Sequence, residues 1–302
     1  MKTDHATILV YLANGIQGGA AARAAAIRGF RVKGIVRNPA QGTALAALGI
    51  EPVLADLRDP ASLVAASTGV AHAVIQVPAG PEHEMAALAH NALSACRTCG
   101  VASIVLRLAS ASRPGPYPEP GFVANARVEA LARGSGLPVA IVRPTLYLDN
   151  LLKPGVRRQI VEHGTFELPI AARQRIAWTS VEDCAEAALT LIERGAYGGD
   201  HLVSGPESLT GADFAVRVSA GVGRSVAYAA EAVDAFEAEV AGALGASAAE
   251  RIASKFRLFA ADPTEADAML APPFDPRPGL EGFRPTSVET WTRRHCAAFL
   301  VP

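Results

Sequence analysis

An apolar run near the N-terminus ends in a glycine turn, and the chain continues as a stretch rich in alanine. The run covers residues 7–12. The turn contains Asn14, Gly15, Ile16, Gln17 and Gly18. A strand that passes through such a turn into a helix presents free backbone N–H groups and the positive helix end to a diphosphate. The pattern predicts that these five residues bind the diphosphate of a dinucleotide.

The glycine turn departs from the usual spacing at its first position. Glycines are expected at positions 12, 15 and 18, but position 12 is Leu. Gly15 and Gly18 occupy the places where the ligand and the helix come closest to the backbone. We therefore expect Leu12 to shift the adenosine ribose rather than to abolish cofactor binding.

A basic residue, Arg37, follows the second predicted strand, Arg31–Val36. In dinucleotide folds an acidic residue at this place binds the ribose hydroxyls of NAD, whereas an arginine pairs with the 2′-phosphate of NADP. Arg37 predicts NADP(H) as the cofactor in preference to NAD(H).

These residues need a sheet that brings strand ends together, and the first half of the chain has the required alternation. Strands predicted at 7–12, 31–36, 51–55, 71–77, 103–108 and 138–143 alternate with helices. Such nearly continuous apolar strands indicate a doubly wound parallel sheet of Rossmann type, an α/β fold covered on both faces. Ligands of such sheets bind beyond the carboxyl ends of the strands. These ends carry Gly15, Arg37, Asp56, Val77, Pro78, Ser110, Pro144 and Thr145.

The texture of the sequence changes after about residue 150, where the predicted elements become shorter. We expect residues 1–155, with 176–205 returning to them, to form the dinucleotide-binding domain. Residues 156–175 and 206–302 are predicted to form a smaller mixed α/β lobe that lies over the cofactor and shapes the substrate pocket. Within that lobe the sequence predicts a loop at 166–173 and a helix at 231–244.

Composition and charge restrict the classes of partner. Half of the 302 residues are hydrophobic, 19% are charged and the net charge is −1, so neither nucleic acid nor an anionic membrane is an expected partner. The sequence has no evident signal peptide or spanning apolar run. We expect a cytoplasmic protein with a small aromatic substrate, and a homodimer is left open. Cys96 and Cys99 have metal-ligand spacing but no further ligand pair, so we expect helix-face residues and no metal.

The order of several motifs resembles the NmrA-like group of atypical short-chain dehydrogenases/reductases over nearly the whole chain. The motifs are residues 14–19, Arg37-Asn38-Pro39, Asp56-Leu57, 135–138 with 143–150, 178–185 and 202–210. The resemblance implies an adenine contact for Asp56 and Leu57. It implies a loop on the nicotinamide side for Pro144, Thr145 and Leu146.

The chain lacks the Tyr/Lys pair with which the wider superfamily passes a proton to a carbonyl oxygen. None of its five Tyr residues has a Lys four residues later. Related reductases often have a Lys in the helix before the sixth strand, and the match places Asn125 there. A neutral amide can hold a ribose hydroxyl but cannot lower a pKa. Ser110, Asn125 and Tyr147 are the predicted catalytic residues, with Ser112 as a further hydrogen-bond donor.

Three functions fit this pattern, and we favour the first. It is an NAD(P)H-dependent reductase that acts on a quinone or polycyclic aromatic ketone in natural-product tailoring. Hydride addition to a quinone yields a delocalised phenolate that donors alone can stabilise, and the quinol would then react with oxygen. The second is a redox sensor that binds NADP(H) without turnover. The third is a non-redox isomerase or dehydratase on the same fold.

Overall fold

The computed structural model describes residues 6–300, which fold as two compact units. The first unit comprises residues 6–144, 181–203 and 276–283. The second unit comprises residues 145–180, 204–275 and 284–300.

The described chain contains the following strands and helices. The strands are β1 (Thr7–Val10), β2 (Arg31–Val36), β3 (Glu51–Leu54), β4 (His72–Ile75), β5 (Ser103–Arg107), β6 (Val139–Pro144), β7 (Thr165–Leu168), β8 (Asp200–Val203) and β9 (Ala227–Ala230). The α-helices are α1 (Ile16–Ile27), α2 (Thr43–Ala46), α3 (Pro60–Ser67), α4 (Glu82–Thr98), α5 (Pro120–Arg133), α6 (Pro154–Arg158), α7 (Val181–Arg194), α8 (Gly211–Val222), α9 (Val233–Leu244), α10 (Ala246–Ala261), α11 (Pro263–Leu270) and α12 (Val288–Arg294). Short 3₁₀ turns cover Pro39–Gly42, Leu148–Leu152 and Cys296–Phe299, and Gln159–His163 is a π-helical turn.

Seven strands of the first unit form one parallel sheet in the order β3-β2-β1-β4-β5-β6-β8. Helices α1 and α7 pack together on one face, and α3, α4 and α5 cover the other. The apolar strands follow from this double cover, because both of their faces are removed from water. The order reverses between β1 and β4, so the predicted doubly wound Rossmann-type fold is confirmed.

A parallel pair, β7 with β9, and a cluster of aromatic rings lie in the second unit. The predicted loop at 166–173 is wrong for residues 166–168, because Phe166 and Leu168 are buried and alternate with a half-buried Glu167. This alternation suits a strand. Trp178 stacks on Phe214 with ring centroids 4.4 Å apart, so Trp178 is part of the core of this unit.

The unit boundaries differ from the predicted ones at residues 145–155, 176–180, 204–205 and 276–283. Residues 145–180 fold within the second unit, where Leu148 N donates to Thr179 O over 2.7 Å and Thr179 N donates to Leu146 O over 2.9 Å. Residues 276–283 join the first unit, in which Arg194 donates to the Gly279 carbonyl over 3.1 Å. These hydrogen bonds join segments that are distant in sequence.

Candidate functional site

The glycine turn joins β1 to α1 and has one backbone feature that a leucine rarely adopts. Leu12 has a φ of +51°, in the left-handed region that costs an L-residue about 1 kcal/mol or more. Gly15 N donates to the Leu12 carbonyl over 2.9 Å, which closes the turn. The first position of the motif therefore keeps a glycine-like conformation although its residue is Leu.

Gly18 is required by close packing in this turn. A Cβ atom at Gly18 would lie 2.2 Å from the Leu12 carbonyl oxygen and 2.6 Å from that of Tyr11. Both obstacles are backbone atoms, so no side-chain rotation relieves the contact. The third position of the motif thus lets helix α1 begin directly against the strand, as in dinucleotide-binding turns.

The N-terminus of α1 is open to solvent. Its N-cap residue is Gly15, and no side chain caps the helix. Asn14, Gly15 and Ile16 are exposed, with Ile16 66% exposed, and Gln17 is half-buried. An uncapped helix end with a positive dipole is a suitable place for an anionic group.

Two charged side chains follow β2 and β3, the neighbouring strands in the sheet. Arg37 is exposed, and within residues 6–300 its guanidinium makes no hydrogen bond or ion pair, while its backbone N–H donates to Gln41 Oε1 over 3.1 Å. Asp56 accepts from the Arg58 backbone N–H over 2.8 Å, so its carboxylate stabilises the turn after β3. Leu57 is buried beside it. Arg37 is therefore a cation available to a ligand at this edge.

The strand ends of β4 and β5 carry polar groups that sequence reasoning missed. Val77 is buried and Pro78 is exposed, and Gln76 before them has a buried Oε1 with no hydrogen-bond partner among the described residues. Arg107, the last residue of β5, is 1% exposed and donates from Nη1 to the Gln17 carbonyl over 2.6 Å. A charged residue inside the apolar run 104–108 is the sequence signal that could have drawn attention to it.

Ser110 and Asn125 are brought together in the first unit. Asn125 is 5% exposed, and its Nδ2 donates to Ser110 Oγ over 3.0 Å and to the Ala111 carbonyl over 2.8 Å. A hydroxyl oxygen that accepts a hydrogen bond keeps its own proton to donate. Asn125 thus holds the loop after β5 and leaves Ser110 able to donate to a ligand.

An ion-pair network anchors the helix that carries Asn125. Glu129 of α5 accepts from Arg133 over 2.9 Å and from Arg143 of β6 over 2.5 Å, and Arg143 also pairs with Asp200 of β8. Burial raises the pKa of Glu129, but these guanidinium hydrogen bonds outweigh it and hold the pKa below its ordinary value. The carboxylate is therefore charged at neutral pH and ties α5 to the sheet.

The remaining predicted residues follow β6. Pro144 ends this strand in the first unit, and Thr145, Leu146 and Tyr147 belong to the second unit. Thr145 Oγ1 donates to the Ala177 carbonyl, which commits its hydroxyl proton to the backbone. Tyr147 is 9% exposed. The structure thus groups Ser110 with Asn125 and leaves the proposed role of Tyr147 a prediction.

Within residues 6–300, neither a metal site nor a membrane-spanning helix is present. No group of three His, Cys, Asp or Glu side chains is arranged to hold a metal ion. No helix combines the length and apolar character that crossing a bilayer requires. Cys96 is buried on α4, and the Cys99 thiol at its C-cap donates to the Val64 carbonyl over 3.3 Å.

The doubly wound sheet and its glycine turn define a Rossmann-type α/β protein, and comparison with known proteins identifies the family. A model of the NmrA-like family matches residues 4–276. The chain therefore belongs to the NmrA-like family.

Three relatives illustrate the range of this similarity. The chain is 27% identical over 269 residues to an NAD(P)H azoreductase of Xenophilus azovorans, with 88% of this chain and 90% of the relative covered. It is 29% identical over 202 residues to quinone oxidoreductase 2 of Escherichia coli K12, with 66% and 68% covered. The solved structure of the triphenylmethane reductase of Citrobacter sp. complexed with NADP(H) matches with a TM-score of 0.76 at 20% identity, with 96% of this chain and 99% of that chain covered.

Proposed function

We propose that this NmrA-like oxidoreductase transfers a hydride from NADPH to a quinone or a polycyclic aromatic ketone. The observation that carries the proposal is the Ser110–Asn125 pair at the end of β5, which offers a hydroxyl proton without any Tyr/Lys acid pair. The names of the relatives support it, because they include an NAD(P)H azoreductase, a quinone oxidoreductase and a triphenylmethane reductase.

The residues of the first unit fit a nicotinamide dinucleotide. The exposed, uncapped start of α1 would hold the diphosphate, and Gly18 lets this helix begin directly against the strand. Arg37 would pair with a 2′-phosphate, since its guanidinium has no other partner in the described chain. The bound reduced cofactor supplies the hydride. This argument supports NADPH over NADH.

The chain's own contribution to the chemistry is hydrogen bonding to the oxygen that gains charge. Ser110 Oγ donates its proton toward that oxygen, while Asn125 fixes the hydroxyl by donating to it. A quinone needs no more than this, because the charge that follows hydride addition is spread over the ring and solvent can protonate the oxygen later. Tyr147 is proposed as a second donor. An ordinary aliphatic ketone would lack the proton that its alkoxide requires.

The biological setting proposed for this reaction is natural-product tailoring. A polycyclic aromatic quinone is a planar substrate whose reduced form reacts with oxygen, so a reduction would be followed by reoxidation in air. Measuring oxygen uptake after anaerobic reduction of a polycyclic quinone tests this part separately from the hydride transfer.

The test of the function is anaerobic mixing of the protein with NADPH and a panel of naphthoquinones and anthraquinones, followed by the loss of reduced-nicotinamide absorbance. Turnover with quinones but not with aliphatic ketones is expected. NADPH binding without turnover on any acceptor would contradict the proposal and favour a sensor. The variant Asn125→Lys should change the turnover rate, and an unchanged rate on every quinone would show that position 125 does not influence the hydride step.

A further inference from the structure

Two polar side chains stand next to each other at the carboxyl ends of β4 and β5. The parallel register pairs Ile75 with Leu106, so the next residues, Gln76 and Arg107, are neighbours. Ile75 and Leu106 belong to the core on the α3–α5 face of the sheet. Because side chains alternate along strands, Gln76 and Arg107 point to the opposite face, which α1 covers.

Both side chains have buried polar atoms without protein partners. The donors Nε and Nη2 of Arg107 make no hydrogen bond within residues 6–300. The acceptor Oε1 of Gln76 makes none either. No carboxylate forms an ion pair with Arg107 in the described chain. A buried charge is usually paired, because its desolvation is otherwise uncompensated. An unpaired guanidinium at a strand end therefore indicates that an anion completes it.

The third group at this place is the first turn of α1. Arg107 Nη1 donates to the carbonyl of Gln17, the second residue of α1, so the guanidinium lies against the uncapped helix start. Helix α1 makes room for it because its buried residues are all Gly or Ala. The helix end and the guanidinium thus present positive potential from one place.

Leu12 gives a reason for this additional charge. The first glycine of the motif normally forms the tight turn, and the second lets the ligand approach the backbone. Leu12 keeps the left-handed conformation but adds a half-buried side chain. An apolar side chain then stands where the motif has none, and a charged donor at the end of β5 offsets its effect on an anionic ligand.

We propose that Gln76 and Arg107 form a polar notch that positions the diphosphate part of the dinucleotide. Arg107 donates to a diphosphate oxygen, and Gln76 Oε1 accepts from the adjoining ribose hydroxyl. The inference rests on the proposed function, because it assigns these residues to the cofactor of that reaction. Both are positioning residues, and neither takes part in the hydride transfer.

Isothermal titration calorimetry on the full chain tests the notch with three probes: NADPH, ADP-ribose 2′-phosphate and 2′-AMP, which lacks a diphosphate. Arg107→Met should weaken the first two by about 10- to 100-fold, the range expected for charged hydrogen bonds, and 2′-AMP by less than about twofold. Arg107→Lys should restore part of the affinity. The control is Arg97→Met, which removes an exposed charge from the last turn of α4 and should leave all three affinities unchanged.

A second variant separates binding from folding. Gln76→Glu places a carboxylate beside Arg107, so it should raise the melting temperature of the ligand-free protein while weakening NADPH binding. If Arg107 is purely structural, Arg107→Met should reduce the affinity for all three probes equally or not at all, and Gln76→Glu should not reduce the affinity for NADPH. Either of these results, for Arg107→Met or for Gln76→Glu, overturns the inference. If the wild type turns over quinones with NADPH but these variants bind it normally, only the notch is wrong. If the wild type does not bind NADPH, both proposals fail.

Discussion

Replacing Gly18 by Ala tests the packing that forms the dinucleotide turn. The new Cβ would lie 2.2 Å from the Leu12 carbonyl oxygen and 2.6 Å from both the Leu12 carbonyl carbon and the Tyr11 carbonyl oxygen. The start of α1 must therefore move away from β1 by about 1 Å to reach ordinary contact distances. Overpacking of this kind costs about 1–3 kcal/mol, against which the helix propensity of Ala returns about 1 kcal/mol.

The expected net loss is up to about 2 kcal/mol, or up to about 4 °C in melting temperature by differential scanning calorimetry. Because the same movement displaces the N–H groups at the start of α1, the Kd for NADPH should rise at least about tenfold, as one charged hydrogen bond is lost.

Gly19→Ala is the matched control, one residue further along the same helix. Its Cβ would meet the end of the Arg23 side chain at 3.1 Å and the Ala13 carbonyl at 3.2 Å, so a small adjustment suffices. The melting temperature should stay within about 1 °C of wild type, because the gain in helix propensity offsets the adjustment. Equal effects of the two substitutions, or normal NADPH binding by Gly18→Ala, would refute the steric argument.

Three further predictions concern the cofactor, the chemistry and the pH dependence. In a binding titration, Arg37→Ser should weaken the affinity for NADPH about 10- to 100-fold and leave the affinity for NADH unchanged, since only NADPH carries the 2′-phosphate. An unchanged ratio of the two affinities would count against the pairing of Arg37 with that phosphate. Ser110→Ala should lower kcat on naphthoquinones about 10- to 100-fold in a stopped-flow assay without changing the Kd for NADPH. The control is Ser247→Ala, at an exposed position, which should change neither quantity. Burial, with two neighbouring carboxylates, raises the pKa of Glu231 from 4.5 to about 7. Between pH 4.5 and pH 7 the native state therefore binds more protons than the unfolded state, and the free energy of unfolding falls as the pH rises through this range. After allowance for solvent screening the loss is about 1 kcal/mol, and Glu231→Gln should remove it from urea denaturation curves recorded at pH 5 and pH 8.

The sheet could be predicted because both of its faces are covered. Strands such as β5, buried along their whole length, read as apolar runs, and helices of regular length separate them. The same logic fails for β7, which has four residues and pairs with β9 some 60 residues further along the chain. Its alternation of Phe166 and Leu168 with polar residues is too short to identify a strand, and the sequence contains no local sign of the partner.

The candidate site was predictable as a set of strand ends, but not as a set of contacts. Ser110 and Asn125 are predicted separately, one as a residue after β5 and the other by resemblance. Only the fold shows that the side-chain N–H groups of Asn125 donate to Ser110 Oγ and to the Ala111 carbonyl. Hydrogen bonds across 14 and 15 residues depend on how a loop folds back over a helix, which local propensity does not determine.

Leu12 and Arg107 break local rules at the same turn, and this coincidence is informative. A leucine in the left-handed region and a charge inside an apolar strand are each unfavourable by themselves. Sequences keep such exceptions mainly where function requires them. Leu12 occupies the place of the glycine, and Arg107 reaches the first turn of the helix that this place leads into. If the two exceptions are coupled, Leu12→Gly should reduce the loss of NADPH affinity caused by Arg107→Met, because the turn would no longer place an apolar side chain beside the diphosphate. A double-mutant cycle on the Kd for NADPH measures this coupling, and strictly additive effects would show that the two positions act independently.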